Sequence, residues 1–594
     1  MQQLKKYGAV VAAVTAVTAV LSVSACGGSG RSSDTPTPGP DKSALWKNTL
    51  DNVARVLWQP AYDEQKIPAD IRQNLNSVQN SPEAVGKATK IFIDDILQNP
   101  DSCSPNNTER LNLLKSYSDK LNPQQAYAMR NLLGKDTSRG YKQLPSDIDF
   151  KFPADDAPDS NYQVGWHFFV GSAYSESGEE FGVQMMFWQY AMLPPELAKK
   201  AGMTEAENQV MEMHLAVSRA GDRHYRTQPH VVSGATGLMS FKSAPFNYQQ
   251  GKNQMLSRQA DQFFPIDLTA WGLDEGKAKP VDMKINIGLT QSEGKGYVLN
   301  GDKGLSPSCG GVGTLYYSVT NLRIDPKVSW IQLGDEKIKL SSGKFWYDHQ
   351  YGTGMMPSGN PRTEALRAVT NVKAALQGEN PGGWDWLMFQ FDDNTEMSLS
   401  SLHSLKNKDF YEQTGDNPPG TMQAETSGVF IRADGSHKEV KGSIEVPQWI
   451  KSKISYGPYI ASNTWYPDRV KVMIDDDEAN KREVYMVPIV SSGQQGYFAS
   501  GLQYSEGAVY LEDKDGKRIG RGFLESTAYA DGVPQILGMI GIPTTPENVK
   551  LMKPKFLDAT QIAQCGAYLA QPAVVLQMEQ EVAQCRGISS LVSP

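Results

Sequence analysis

Two aromatic-rich segments carry the residues best suited to chemistry. In the first, Trp346, Tyr347, Asp348 and His349 follow one another between Gly343 and Gly352. The second opens Gly382-Gly383-Trp384-Asp385-Trp386 and runs on through Phe391 to Asp392 and Asp393. Apolar walls around a carboxylate disfavour its charged form and raise its pKa. A carboxylic acid kept neutral near pH 7 is a proton donor, and aromatic faces stabilise a developing cation. Such a set suits protonation of an apolar alkene, with water then attacking the carbocation. The same residues also suit a plain β-core, in which Trp and Tyr fill space and Asp–His pairs cap turns.

Other chemistries lack their signatures. The sequence contains no G-x-S-x-G elbow, no G-x-G-x-x-G and no P-loop. The seven histidines form no H-x-H or H-E-x-x-H pair. His224 and His230, with five residues between them, make a weak metal motif, and the acidic run Asp475 to Glu478 reads as a solvated loop rather than a calcium site. No metal and no cofactor is therefore expected. The 594 residues carry a formal charge of −8 and no long basic run, which argues against a nucleic-acid partner.

The elements that must position the aromatic segments are strands. From about Asp147 to Leu537 the chain is built of short alternating or aromatic runs, among them Trp166-His167-Phe168-Phe169-Val170 and Thr314-Leu315-Tyr316-Tyr317-Ser318-Val319. Turn pairs such as Ser177-Gly178, Asn300-Gly301, Asp434-Gly435 and Asp515-Gly516 separate them. Many strands with few helical patterns predict antiparallel β-structure, barrel or sandwich. That length exceeds one small barrel, so two β-domains are expected, over residues 147–340 and 341–540. Helical spacing appears in Leu45, Trp46, Leu50, Val53 and Leu57, and in Ala88, Ile91, Ile93, Ile96 and Leu97. A helical region is thus predicted over 43–146, and a second, opened by Pro546-Glu547, over 541–594.

The order W-x-D-H, then G-W-D-W-x-x-x-Q-x-D-D about 40 residues later, resembles the lipocalin-like family of carotenoid 1,2-hydratase, kievitone hydratase and AttH-like secreted proteins. Further blocks are similar: Gly165-Trp166-His167-Phe168-Phe169, Asn300-Gly301-Asp302-Lys303-Gly304-Leu305-Ser306, Tyr316-Tyr317-Ser318, Tyr466-Pro467, Tyr504-Ser505-Glu506-Gly507 and Gly520-Arg521-Gly522-Phe523-Leu524-Glu525-Ser526-Thr527-Ala528-Tyr529. The resemblance spans about residues 150–535. It implies a mainly β fold of two lipocalin-like antiparallel barrel or sandwich domains, with helical N- and C-terminal extensions and a cavity lined by both halves. It also implies that Asp348 is the catalytic proton donor, assisted by Trp346, Tyr347 and His349. Tyr316, Tyr317, Trp384 and Trp386 are then expected to bind substrate. Two departures stand out: the family's D-H-E-[WF] is here Asp348-His349-Gln350-Tyr351, and a long insertion, Met355–Pro381, separates the two aromatic segments.

The N-terminus reads as an address. Lys5 and Lys6 precede an apolar stretch, Gly8 to Val23, and small residues lead to Cys26. The stretch is short for a membrane span of about 20 residues. Val23-Ser24-Ala25-Cys26 resembles a bacterial lipoprotein box, which implies a signal over 1–25 and lipidation of Cys26; an ordinary signal peptide is the alternative. Loss of the signal takes two lysines and leaves a net charge of −10. Residues 26–42 are a Gly/Ser/Pro tether. Four further cysteines remain, an even number for an oxidising compartment. Cys565–Cys585 is the favoured pair within the C-terminal helical segment, with Cys103–Cys309 as the remainder.

The expected protein is a lipid-anchored lipoprotein of the bacterial cell envelope, at the periplasmic face of the outer membrane or the cell surface. Its expected partners are the membrane, through Cys26, and a lipophilic small molecule. One expectation is a hydratase or isomerase acting on a terpenoid, carotenoid or fatty acid. The other is a non-catalytic lipid carrier or envelope-assembly lipoprotein, which needs the cavity but not the acid.

Overall fold

The computed structural model describes residues 42–553 apart from 81–82, 99–107, 122, 131, 134–139, 143, 145–147, 158, 275–279, 302, 308–312, 355–382, 404–407, 411, 453–463, 476–481, 492–493 and 498–502. All five cysteines, the signal and tether, the 355–381 insertion and most of the expected C-terminal helical segment lie outside the described residues.

Fourteen strands form one sheet: β1 (Val164–Ser175), β2 (Glu180–Ala191), β3 (Gln209–Arg219), β4 (His224–Arg226), β5 (His230–Ser233), β6 (Met239–Ser243), β7 (Phe246–Gln250), β8 (Asn253–Ser257), β9 (Ile266–Asp274), β10 (Val281–Gln291), β11 (Tyr297–Leu299), β12 (Leu305–Pro307), β13 (Gly313–Leu333) and β14 (Glu336–Gly354). Its order is β4-β3-β2-β1-β14-β13-β10-β9-β8-β7-β6, with β5 paired to β3 and β11 and β12 to β13. The sheet curls into a half-barrel around a core that includes Phe169, Met185, Leu215, Ile285, Tyr317 and Tyr347.

The second sheet comprises β15 (Trp384–Phe391), β16 (Glu396–Leu402), β17 (Met422–Ile431), β18 (His437–Lys451), β19 (Trp465–Asp475), β20 (Glu483–Pro488), β21 (Gln494–Tyr497), β22 (Gln503–Glu512) and β23 (Arg518–Thr527). β20 pairs with β22, and β15 with β23, so eight strands close into a barrel with β21 added beside β22. Closure removes the exposed edges that an open sheet would leave. Leu387, Phe389, Leu399, Val472 and Leu511 fill the interior.

The fold is the mainly β, lipocalin-like architecture expected from the sequence. The division between the two sheets differs from residue 340. β14 runs on to Gly354 and pairs with both β1 and β13, so Trp346 to His349 belong to the first sheet. Gly343 is not a break: a Cβ there would press on the Ser172 carbonyl and Ile324, so glycine permits the close strand approach.

Helices from both ends of the chain, and one short helix between β2 and β3, lie beside the first sheet. They include α1 (Lys42–Val56), α2 (Ala69–Asn80), α3 (Glu83–Gln98), α4 (Thr108–Tyr117), α5 (Pro123–Arg130), α6 (Pro195–Lys200), α7 (Val533–Ile540) and α8 (Pro546–Met552). On α3, Val85, Ala88, Phe92 and Ile96 recur every three or four residues and bury one stripe. That stripe joins Leu114 of α4, Met129 of α5 and Ile536 and Leu537 of α7 in one core. The Gln125 side-chain amide also donates to the Met539 carbonyl at 2.7 Å. Thr545 caps α8 by accepting from the Asn548 N–H at 3.2 Å, as its Thr-Pro-Glu start predicts.

The two sheets meet face to face. Phe168, Val170, Met186 and Trp346 of the first pack against Trp384, Trp386, Met388, Ala508 and Phe523 of the second. β1 is therefore buried on both faces, which is why it reads as a continuous aromatic run instead of an alternation. Gly182 permits a close approach, since a Cβ there would overlap the Ala508 methyl. The Lys295 ammonium fastens one side, donating to Glu396 at 2.7 Å and to the carbonyls of Asn394 and Arg432 at 3.0 and 2.7 Å. Glu180 and Arg521 form an ion pair on the other side.

Candidate functional site

Side chains alternate across a strand, so β14 splits its chemical residues between two faces. Trp346 and Asp348 face the layer between the sheets, while Tyr347 and His349 face the interior of the first sheet. The same alternation on β13 places Tyr316 and Ser318 with Asp348, and Tyr317 on the opposite face. Trp384 and Trp386 of β15 complete the inter-sheet layer. The structure thus brings Asp348, Trp346, Tyr316, Trp384 and Trp386 together. It does not join Tyr347, His349 and Tyr317 to them.

Asp348 is 7% exposed and its carboxylate accepts three hydrogen bonds. The Tyr316 hydroxyl donates at 2.7 Å, the Trp346 indole N–H at 2.6 Å, and the Ser318 hydroxyl donates to the same oxygen as Trp346. These donors favour the ionised form, but burial outweighs them and pushes the carboxyl up to about 6. Burial and the neighbouring Asp348 also raise the Tyr316 phenol, which stays a donor.

Two further acids occupy the same layer and were given no role from sequence. Glu506 of β22 and Glu525 of β23 are direct cross-strand partners, both buried. The Trp384 indole N–H donates to Glu525 at 2.8 Å, and the Gln184 amide donates to one oxygen of Glu506. The other oxygen of Glu506 is buried without a hydrogen-bond partner. Burial, then the facing carboxylate, raises Glu506; burial, then the charges of Asp348 and Asp385, raises Glu525. Arg226 stands close by and donates to the Tyr504 hydroxyl at 2.8 Å. His214 also meets that hydroxyl through Nδ1, and its Nε2 lies 2.7 Å from Glu212. The sequence did hold a signal: a Glu among residues that alternate into a core is out of place unless paired or functional. Register alone makes Glu506 and Glu525 a pair, and register is invisible before folding.

Chemically, the layer offers a carboxyl that keeps its proton up to about pH 6, a pair of carboxylates able to hold a single proton, and indole faces near them. On the opposite face, His349 donates from Nδ1 to the Trp166 carbonyl, 2.8 Å away, and burial lowers its imidazole to about 4. It is a neutral ring at pH 7, separated from Asp348 by the β14 backbone. His224 and His230 do not converge: His224 meets the Ser218 hydroxyl at 2.8 Å, and His230 turns to Trp271.

The AttH-like family matches residues 143–529 of this chain. No curated protein matches it in sequence. Among solved structures, an AttH assignment from Nitrosomonas europaea is similar at 15% identity and a TM-score of 0.45, covering 66% of this chain and all of its own. Kievitone hydratase from Nectria haematococca is similar at 11% identity and a TM-score of 0.41, covering 66% of this chain and 97% of its own. CghA in complex with Sch210972 follows at 9% identity and a TM-score of 0.29, with 66% and 97% coverage.

Proposed function

Because the chain belongs to the AttH-like family, we propose that it is an envelope enzyme that protonates a carbon–carbon double bond of a lipophilic substrate in the layer between its two sheets. The observation that carries this reading is Asp348: a buried carboxyl pushed up to about 6, walled by indoles and held by three donors. Its O–H bond breaks, the proton adds to one alkene carbon and leaves a carbocation on the other, and the carboxylate keeps the electron pair. Trp346, Trp384 and Trp386 present the faces that stabilise that cation. Tyr316, Ser318 and Trp346 already point at the oxygens on which negative charge appears, so they need no reorganisation.

The cation then has two exits. Water attacks it, the ionised member of the Glu506–Glu525 pair takes the released proton, and the pair returns a proton to Asp348, giving an alcohol and the starting acid. Alternatively a neighbouring C–H proton goes to the same carboxylates, giving an isomerised alkene. Either path uses only a proton and water, so the reading calls for no cofactor. Terpenoid, carotenoid or fatty-acid substrates fit walls of this kind. The lipobox-like Val23-Ser24-Ala25-Cys26 supports attachment to the envelope membrane through a lipid on Cys26.

The test is mass spectrometry of lipophilic ligand retained by the protein purified from its native envelope, followed by incubation of that ligand with wild type and Asp348→Asn in ¹⁸O-water. Product with one added ¹⁸O-labelled water, or an isomer, formed only by wild type supports the reading. Ligand recovered unchanged from both marks a carrier, and equal turnover by both removes Asp348 from the chemistry.

A further inference from the structure

The interior of the first sheet holds an arrangement that the proposed chemistry does not use. Residues 149–157 form a strap that lies over the aromatic interior just before β1. Phe152 lies flat on Tyr297, with ring centres 3.5 Å apart and planes 2° apart, and meets Tyr317 edge-on at 4.8 Å. Phe150 stacks on Phe152 at 5.7 Å and touches Tyr317 edge-on at 5.5 Å. Gly304 has a φ of +94°, and a Cβ there would overlap the Phe150 ring, so the backbone leaves a slot for that ring.

One turn further, Asp156 is wholly buried and accepts from the hydroxyls of Tyr297, at 3.0 Å, and of Tyr317. The charged group that acts on it most is another acid, Asp155. Behind this carboxylate lie Tyr347, His167 and His349. The Tyr347 hydroxyl is 2.9 Å from His167 Nδ1, and the two imidazoles stack at 4.0 Å. Nε2 of each histidine is buried with no hydrogen-bond partner, although both rings are almost wholly enclosed. A buried polar atom left without a partner destabilises the fold.

Burying a carboxylate among phenols with an acid as its charged neighbour is a costly way to fasten a loop. Two stacked rings followed by a carboxylate have instead the shape of a small amphipathic molecule. We propose that the strap sits, as a tethered mimic, in a second binding site of this chain, whose free ligand is an apolar or aromatic carboxylic acid. The phenols of Tyr297 and Tyr317 take its carboxylate, the Tyr297 face takes its body, and the orphaned imidazole nitrogens receive a further polar group. Strap and ligand compete, so the ligand binds as the strap leaves. This site is separated from Asp348 by the thickness of the first sheet.

The test uses the full chain and cis-parinaric acid, whose fluorescence rises on burial, with its methyl ester as the comparison. Phe152→Ala weakens the competitor and is expected to tighten the acid by about tenfold, because more of the protein is then binding-competent. Tyr317→Phe is expected to weaken it, and the ester to bind less well than the acid. Hydrogen exchange on the wild type locates the event: saturating cis-parinaric acid should speed exchange in residues 149–157. Unchanged affinity in a folded Phe152→Ala variant, or an ester that binds as well as the acid, overturns the proposal. So does saturation of the wild type with no change in strap exchange, which decides the matter even if the variant fails to fold.

Discussion

Asp348→Asn tests the inter-sheet acid without knowledge of the substrate. The carboxyl moves from an ordinary 3.8 to about 6, so about 2 units at about 1.4 kcal/mol each put the effect at about 3 kcal/mol. The folded pKa lies above the unfolded one, so the folded chain binds the proton more tightly. The stabilising contribution is full below about pH 4 and is lost as pH rises through about 6. Asparagine keeps the shape, accepts from Trp346, and lets the Tyr316 and Ser318 hydroxyls turn to meet its amide. It carries no charge to bury. The variant should therefore gain on wild type by about 3 kcal/mol between pH 4 and pH 8. Relief of the charge that Asp348 imposes on Glu525 adds to the gain in the same direction. Urea denaturation of both proteins across that range, followed by tryptophan fluorescence, measures the difference. Identical pH slopes would show an ordinary, solvated carboxylate and would remove the physical basis for Asp348 as a neutral proton donor.

Three more outcomes follow from other parts of the molecule. Lys295→Met strands the fully buried Glu396 and should cost about 3–5 kcal/mol by calorimetry, with part recovered in the Lys295→Met/Glu396→Gln double variant. Gly182→Val forces a side chain against Ala508 and should cost about 1–3 kcal/mol, read as a lower melting temperature, with Ala508→Gly in the same chain giving some of it back. Cys26→Ser should abolish incorporation of labelled palmitate and release the protein from the membrane fraction in the native host; a variant that stays in the membrane fraction and still takes up label would rule out Cys26 as the anchor.

What the linear sequence disclosed was local. The alternating aromatic runs and the Asn-Gly and Asp-Gly turns announced strands, because strand period and turn chemistry are properties of a few adjacent residues. The helical stripe of α3 and the Thr-Pro-Glu start of α8 were legible for the same reason. Trp346 and Asp348 also stood out, since a carboxylate next to indoles is unusual chemistry wherever it lies.

Other features were settled only by packing. The sequence placed Tyr347 and His349 beside Asp348, and Tyr317 beside Tyr316, because it lists neighbours along the chain. A pleated strand sends such neighbours to opposite faces. Which face meets the barrel depends on the pairing of β14 with β1 and β13, and on the barrel's position above them. The Glu506–Glu525 pair arises from the register of β22 against β23, and the proximity of Glu525 to Asp348 arises from sheet contact between segments more than 150 residues apart. The sequence by itself thus determined the strands, the turns and the kind of chemistry available. Tertiary structure decided which acids share a site, because electrostatics and desolvation act through space and not along the chain.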